Sequence, residues 1–245
     1  IQKKFNKSTK EFELYKAIDK SKDQSYFLYH LNQEKLKNIL FPLGSYLKED
    51  MKKLVVEKGI PTLKKESHDI CFLRESGKAV EQNEFLKKRI KLKKGKIMLL
   101  LAKDETGERK RQEIGEHKGL QLYTIGQRKG VNIGGTGPYY VALMDYKKNE
   151  LVVVKDSEDE SLMKDTLMSV DNNFVGKREE NDFSCQALIR YRHKAVDAQV
   201  SLGSSRLGAK EEFETKFSTK QRAITKGQSV VWYDGERLLG GGIIQ

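Results

Sequence analysis

Beyond residue 160 the chain breaks into short apolar or alternating segments, each no longer than a strand and bounded by glycine, asparagine or aspartate. Cys185–Tyr191, Val196–Leu202, Glu211–Phe217, Ser229–Tyr233 and Leu238–Ile244 all read this way. β-Branched and aromatic residues between turn formers at this spacing predict consecutive antiparallel strands. Such strands bury their apolar faces best by closing into a small antiparallel β-barrel.

The preceding residues are mixed. Glu11–Ile18 alternates as a strand, and Lys22–Leu31 is expected to be a helix opened by Ser21 and Asp23. Lys22-Asp23-Gln24 then falls at a helix start. Free N–H groups there can hold a phosphate, and a capped, solvated first turn explains the same pattern. Phe41-Pro42-Leu43-Gly44 reads as a turn. Lys48–Lys58 reads as an amphipathic helix with Met51, Leu54 and Val55 inward, stopped by Gly59 and Pro61. A helix is expected around Gln82–Arg89 and a strand at Lys96–Ala102. Between them lies the basic run Lys87, Lys88, Arg89, Lys91, Lys93, Lys94 and Lys96, either a solvated face or an RNA contact. Lys103–Gln112 reads as a charged hairpin tip or loop, and Gly119–Gly130 as a helix or turn close to backbone or ligand, with the cations Arg128 and Lys129. Gly134–Pro138 lacks the lysine and helix of a phosphate loop. Tyr139–Leu143 and Leu151–Val154 flank Lys148-Asn149 as a hairpin, and Asp156–Glu160 is an acidic linker.

The 245 residues predict two or three domains. Lysine and arginine number 47 against 35 acids, a net charge of +12 that favours a polyanionic partner. An acidic membrane surface is the other physical option, but no apolar run approaches the roughly 20 residues of a spanning helix. Two cysteines with no CxxC exclude a disulfide framework and a thiolate-rich zinc site, so a reducing, cytoplasmic setting and no metal site are expected. The chain opens on Ile1 without a signal-like segment and reads as a piece of a longer protein. Cys71 ends the polar run Glu66-Ser67-His68-Asp69-Ile70, either as a buried inert thiol or as a reactive one. Arg190-Tyr191-Arg192-His193 closes a strand with two guanidinium groups and a ring, which suits either RNA contact with base stacking or a barrel rim.

Several segments together resemble the tRNA-specific 2-thiouridylase family (MnmA/TrmU): KDQSYFL from Lys22, FPLG from Phe41, ICF around Cys71, GLQLYTIGQRKG from Gly119, IRYRH from Ile189, and GQSVVWYDGE from Gly227 with the terminal LGGGII. They occur in the family's order over nearly the whole chain. The resemblance implies an α+β multi-domain protein. Its parts would be the tail of an α/β ATP-pyrophosphatase-type nucleotide domain (1–73), a small mixed central tRNA-binding domain (74–157) and a C-terminal antiparallel β-barrel (158–245).

It also implies the function: ATP-dependent 2-thiolation of the wobble uridine of tRNA, in a monomeric, cytoplasmic sulfurtransferase. ATP with Mg2+ would adenylate the 2-oxygen of uracil, and a sulfur nucleophile would displace AMP. Cys71 corresponds to the persulfide carrier, loaded by a cysteine desulfurase or sulfur-relay protein and able to form a disulfide with a second catalytic cysteine. Lys22, Asp23, Gln24, Arg190, Tyr191 and Gln228 match tRNA-contacting positions; His68, Arg128 and Lys129 are auxiliary candidates. Tyr191 is the expected stacking ring. The sequence departs from the family in carrying His68 where glutamine is usual, and in lacking the ATP loop and the second catalytic cysteine. The isolated chain is therefore expected to hold sulfur and RNA but not to complete the reaction unaided. Its alternative reading is a non-catalytic RNA-binding fragment or split-gene subunit. Cys185 matches no catalytic cysteine and is expected to be a strand residue.

Overall fold

The computed structural model describes residues 1–61, 74–75, 78–79, 81–131, 133, 137–178, 180–203 and 211–245. The chain divides into two compact units, one made of Ile1–Thr62 with Lys164–Gln245 and the other of Leu63–Met163.

The first unit is built around a closed barrel. Strands β1 (Gln2–Asn6) and β2 (Glu11–Tyr15) form an antiparallel hairpin, followed by α1 (Gln33–Lys37) and α2 (Lys48–Glu57). After the second unit come β9 (Met163–Phe174), β10 (Phe183–Leu188), β11 (Val196–Leu202), β12 (Phe213–Arg222), β13 (Ser229–Asp234) and β14 (Arg237–Ile244). The last six pair in the order β14-β13-β10-β11-β12-β9, and β14 pairs again with β9, so the ring closes. β2 adds to the start of β14 and carries β1 outward.

Closure explains the run Gly240-Gly241-Gly242. A Cβ at Gly240 would lie 2.3 Å from the Asn173 carbonyl oxygen, one at Gly241 2.5 Å from that of Val230, and one at Gly242 2.0 Å from Asn172 Oδ1. Backbones that meet this closely leave no space for a side chain.

β13 is buried on both faces, and this decides where the N-terminal segment goes. Val230 and Trp232 point into the barrel with Phe213 and Val200, and Trp232 stacks on Phe174 at 5.5 Å while its indole N–H donates to Thr215 Oγ1 at 3.1 Å. Val231 and Tyr233 point outward into a second core with Leu14, Tyr26, Tyr29, Leu36 and Leu238. The segment after β2 thus roofs the outer face of the strand, as period-two alternation requires.

The second unit contains β3 (Arg74–Glu75), β4 (Lys78–Ala79), α3 (Gln82–Lys87), β5 (Gly95–Lys103), β6 (Arg109–His117), β7 (Tyr140–Asp145) and β8 (Glu150–Val154). Its four-stranded sheet has the order β6-β5-β8-β7, with β5 and β8 parallel, over a core of Ile97, Leu99, Val141, Leu151 and Val153. His117 is 1 % exposed; its Nδ1 accepts the Gly119 N–H at 3.1 Å, so Nε2 carries the proton given to the Asn149 carbonyl at 3.1 Å.

Several sequence expectations are corrected. Lys22–Leu31 is not one helix but two 3-10 turns, Lys20–Lys22 and Ser25–Leu28, because Asp23 bonds backbone on both sides of itself. Strands β1 and β9 were not anticipated; their charged, solvated faces mask the alternation. The charged segment 103–112 enters β6 at Arg109, Leu54 of α2 is exposed, and β10 ends at Leu188, leaving 190–193 in a turn. The acidic linker contains a fixed point: Asp159 is held by both Arg109 Nη atoms at 2.7 and 2.8 Å.

Candidate nucleic-acid interface

Lys22, Asp23, Gln24, Arg190, Tyr191 and Gln228 all belong to the first unit. Asp23 organises the segment. One carboxylate oxygen accepts the Ala17 N–H at 2.8 Å; the other accepts the Ser25 hydroxyl at 2.6 Å and its N–H at 3.3 Å. With its proton committed to Asp23, the Ser25 hydroxyl accepts from Tyr233, 3.0 Å away on β13. The Asp23 carbonyl in turn accepts the Tyr191 hydroxyl at 3.1 Å. An acid in a basic face is thus explained: its charge is spent on backbone, and the exposed Lys22 and Gln24 on either side are what the surface presents. The next turn is pinned as firmly, with the Tyr26 hydroxyl donating to the Ser229 carbonyl at 2.8 Å and Tyr29 within 2.9 Å of the Ser229 hydroxyl. Burial pushes the Tyr26 phenol up to about 12, so it is a donor at neutral pH.

Arg190 approaches from the turn after β10. Its Nη2 donates to the Ala223 carbonyl at 2.8 Å and its Nε to Gln228 Oε1 at 3.4 Å, which joins Arg190 to Gln228 at the start of β13. Both partners are neutral. Burial first, and then the neighbouring Arg222, lower its pKa from the ordinary value. A guanidinium remains charged all the same. Among the described residues, no carboxylate forms an ion pair with it. This is a cation oriented by dipoles with its charge left over, the condition a phosphate would relieve.

Beside Tyr191 lies a cavity of about 350 Å³ whose lining includes Lys16, Lys20, Asp23, Arg192 and His193. Lys16 sits 4.4 Å over the Tyr233 ring, and burial lowers its pKa. Lys20 is paired with Glu236. Arg192 holds a left-handed φ of +64° and lies over the Tyr191 ring at 5.2 Å.

Tyr191 is not the open ring that the sequence led us to expect. Phe27 packs 4.7 Å from it, Tyr26 6.2 Å, and Arg192 lies on it. Residues that sequence reasoning passed over, Ser25, Phe27, Tyr233 and Ala223, complete the arrangement. Two of them, Ser25 and Phe27, lie inside the KDQSYFL segment, for which the sequence predicts a single helix.

Arg128 and Lys129 belong to the other unit, exposed in a loop docked on β7 by the Gly126 N–H to the Val141 carbonyl at 2.7 Å. Cys71 and His68 lie outside the described residues. Cys185 is 8 % exposed in β10, and burial raises its thiol to about 12, which leaves it protonated and inert. Among the described residues no cluster of His, Cys, Asp or Glu could hold a metal, and no helix is long and apolar enough to cross a membrane.

The antiparallel barrel thus carries cationic and aromatic side chains fixed beside β13. Three family models cover the chain in series: a tRNA methyl transferase HUP domain over residues 2–75, a tRNA methyl transferase PRC-barrel domain over 83–155, and an aminomethyltransferase β-barrel domain over 164–244. Curated relatives include the tRNA-specific 2-thiouridylase MnmA of Francisella philomiragia, 39% identical over 95% of this chain and 62% of its own length. Another is MnmA of Burkholderia ambifaria, 40% identical over 96% of this chain and 59% of its own. A third, MnmA 2 of Thermoanaerobacter sp., is 37% identical over the whole chain and 63% of its own length. The chain belongs to this tRNA-specific 2-thiouridylase family and spans about three fifths of the length of these relatives.

The HUP name implies ATP. In the described part of that segment, β1 and β2 are antiparallel, joined by Lys7-Ser8-Thr9-Lys10, and β2 leads into a three-residue 3-10 turn. None of this forms a strand, glycine loop and helix cradle for phosphates. The described residues of this segment therefore supply no phosphate cradle for ATP.

Proposed function

We propose that this protein takes part in the 2-thiolation of the wobble uridine of tRNA, with the Lys22–Gln24, Arg190–Tyr191 and Gln228 face gripping RNA and Cys71 carrying the sulfur. The reading is supported by family membership and carried by one observation: Arg190 is fixed by an amide and a carbonyl, its charge unmatched by any carboxylate ion pair among the described residues. Phosphate contacts of this kind set the RNA's register, and Lys22 and Gln24 extend the same face.

In the sulfur step, the Cys71 thiolate attacks the outer sulfur of a donor persulfide. A sulfur–sulfur bond forms at Cys71, and the donor leaves as a thiolate. A cysteine desulfurase or relay protein in a reducing cytoplasm is the fitting donor. Reaching an anticodon base further requires taking it out of its stack.

The test loads the protein with a cysteine desulfurase and cysteine and reads the mass of the Cys71 peptide. The expected result is a gain of one sulfur, absent in Cys71→Ser, with tRNA binding intact in that variant. Persulfide on Cys185 alone would contradict the assignment. Thiolation of tRNA by this chain supplied with ATP, the cysteine desulfurase and cysteine would rule out a purely RNA-gripping role.

A further inference from the structure

Resting on the RNA-binding reading above, we propose that Phe27, not Tyr191, is the platform on which one unpaired base of the RNA stacks. Phe27 is 55 % exposed, although it directly follows the buried Ser25 and Tyr26. About half of an apolar ring is therefore open to a ligand that can cover it.

The ring is also held. Its own N–H donates to the Gln24 carbonyl at 3.1 Å. Tyr26 meets it edge-on at 5.3 Å and 90°, and Tyr191 backs it at 4.7 Å. Both tyrosines are fixed by their hydroxyls, to the Ser229 and Asp23 carbonyls. Tyr191, the more obvious ring, is closed in by Phe27 and Arg192 and acts as the support.

The surroundings select the occupant. Lys22 and Gln24 are exposed a few positions before Phe27 in the same segment, and Arg192 lies over the Tyr191 ring that backs it. A flat apolar ring in a basic segment, backed by a ring that carries Arg192, matches a nucleobase attached to a phosphate backbone better than an aliphatic protein side chain. Arg192 supports the same conclusion from the backbone. A non-glycine residue at φ +64° is conformationally costly and is retained where the surroundings use it.

The probe is a single-stranded RNA carrying 2-aminopurine, with tRNA in parallel, titrated into the full chain. Stacking on Phe27 should quench the 2-aminopurine emission. Phe27→Leu should lose that quenching and weaken binding roughly 5- to 150-fold, the range spanned by removal of one base–aromatic stack. The salt dependence should not change, because no phosphate contact is lost. Phe27→Trp should restore both quenching and affinity. Arg192→Gly should keep or raise thermal stability while weakening RNA binding. Unchanged affinity and quenching in Phe27→Leu would overturn the platform. If Arg190→Ala and Lys22→Ala were also silent, the RNA-face reading itself would fall, so the two failures are distinguishable.

Discussion

Arg109 in the second unit and Arg190 in the first are both partly buried and both hydrogen-bonded, yet the groups that hold them differ in kind. Arg109 meets the Asp159 carboxylate with both Nη atoms and adds a bond from Nε to the Leu101 carbonyl at 2.7 Å; its pKa rises, chiefly through the Asp159 bond. Arg190 meets a carbonyl and an amide oxygen, lies near Arg222, and its pKa falls. The first guanidinium is neutralised in place and serves the fold. The second is positioned but not neutralised, and so remains available to an anion. Hydrogen-bond count alone would not separate them; the charge of the partner does.

The largest effect should come from breaking the neutralised pair. Arg109→Ala leaves Asp159 with only the Ser161 N–H and hydroxyl, at 3.0 and 2.7 Å. The loss of a bidentate, charge-assisted contact is expected to cost about 2 kcal/mol. Hydrogen exchange of β5 and β6 reads that loss, while tRNA affinity should not move. A matching fall in affinity would erase the distinction between the two arginines.

A second effect sharpens the same contrast through pH. The Arg109 guanidinium holds the Asp159 carboxyl well below the usual carboxylate range. Its contribution to stability is therefore present above the ordinary carboxylate pKa of about 4 and is lost as pH falls toward the lower folded-state value. Exchange protection in β5 and β6 should drop on acidification below about pH 4, and Asp159→Asn should start lower and show less of that drop. An equal acid response in both proteins would place the pH sensitivity elsewhere.

The smallest effect is expected on the stability of the first unit in Arg190→Ala. The Ala223 carbonyl still accepts the Thr225 hydroxyl at 2.9 Å, so no buried acceptor is orphaned. A loss below about 0.5 kcal/mol, read by urea unfolding, is what a positioned but non-structural cation predicts. A loss of several times that would class Arg190 with Arg109.

Legibility followed the hydrophobic pattern. Strands β10, β11, β13 and β14 were readable because apolar residues recur in short runs between turn formers, and the barrel followed from their number. β1 and β9 were not, since QKKFN and MKDTLMSVDNNF spread charge along faces that the fold leaves half-solvated. The helix expected at Lys22–Leu31 failed because Asp23 recruits the N–H of Ala17, a contact outside any local window on helix periodicity. At the interface, residue type pointed to Arg190 and only the family resemblance to Gln228, and their bond bridges 38 positions and is visible only after β13 has paired with β10. Tyr191 was the natural choice for stacking from its place in RYRH. Its enclosure by Phe27 and Arg192 is a tertiary fact that no spacing encodes.

The most direct test of an unneutralised Arg190 as an RNA grip is the salt dependence of tRNA binding by the wild-type chain and Arg190→Ala, measured from about 50 to 200 mM salt. The account predicts a fall in affinity of about tenfold at the lower salt and a slope of log K against log salt shallower by about one, the signature of a lost phosphate contact. Identical affinity and slope in two equally folded proteins would contradict it.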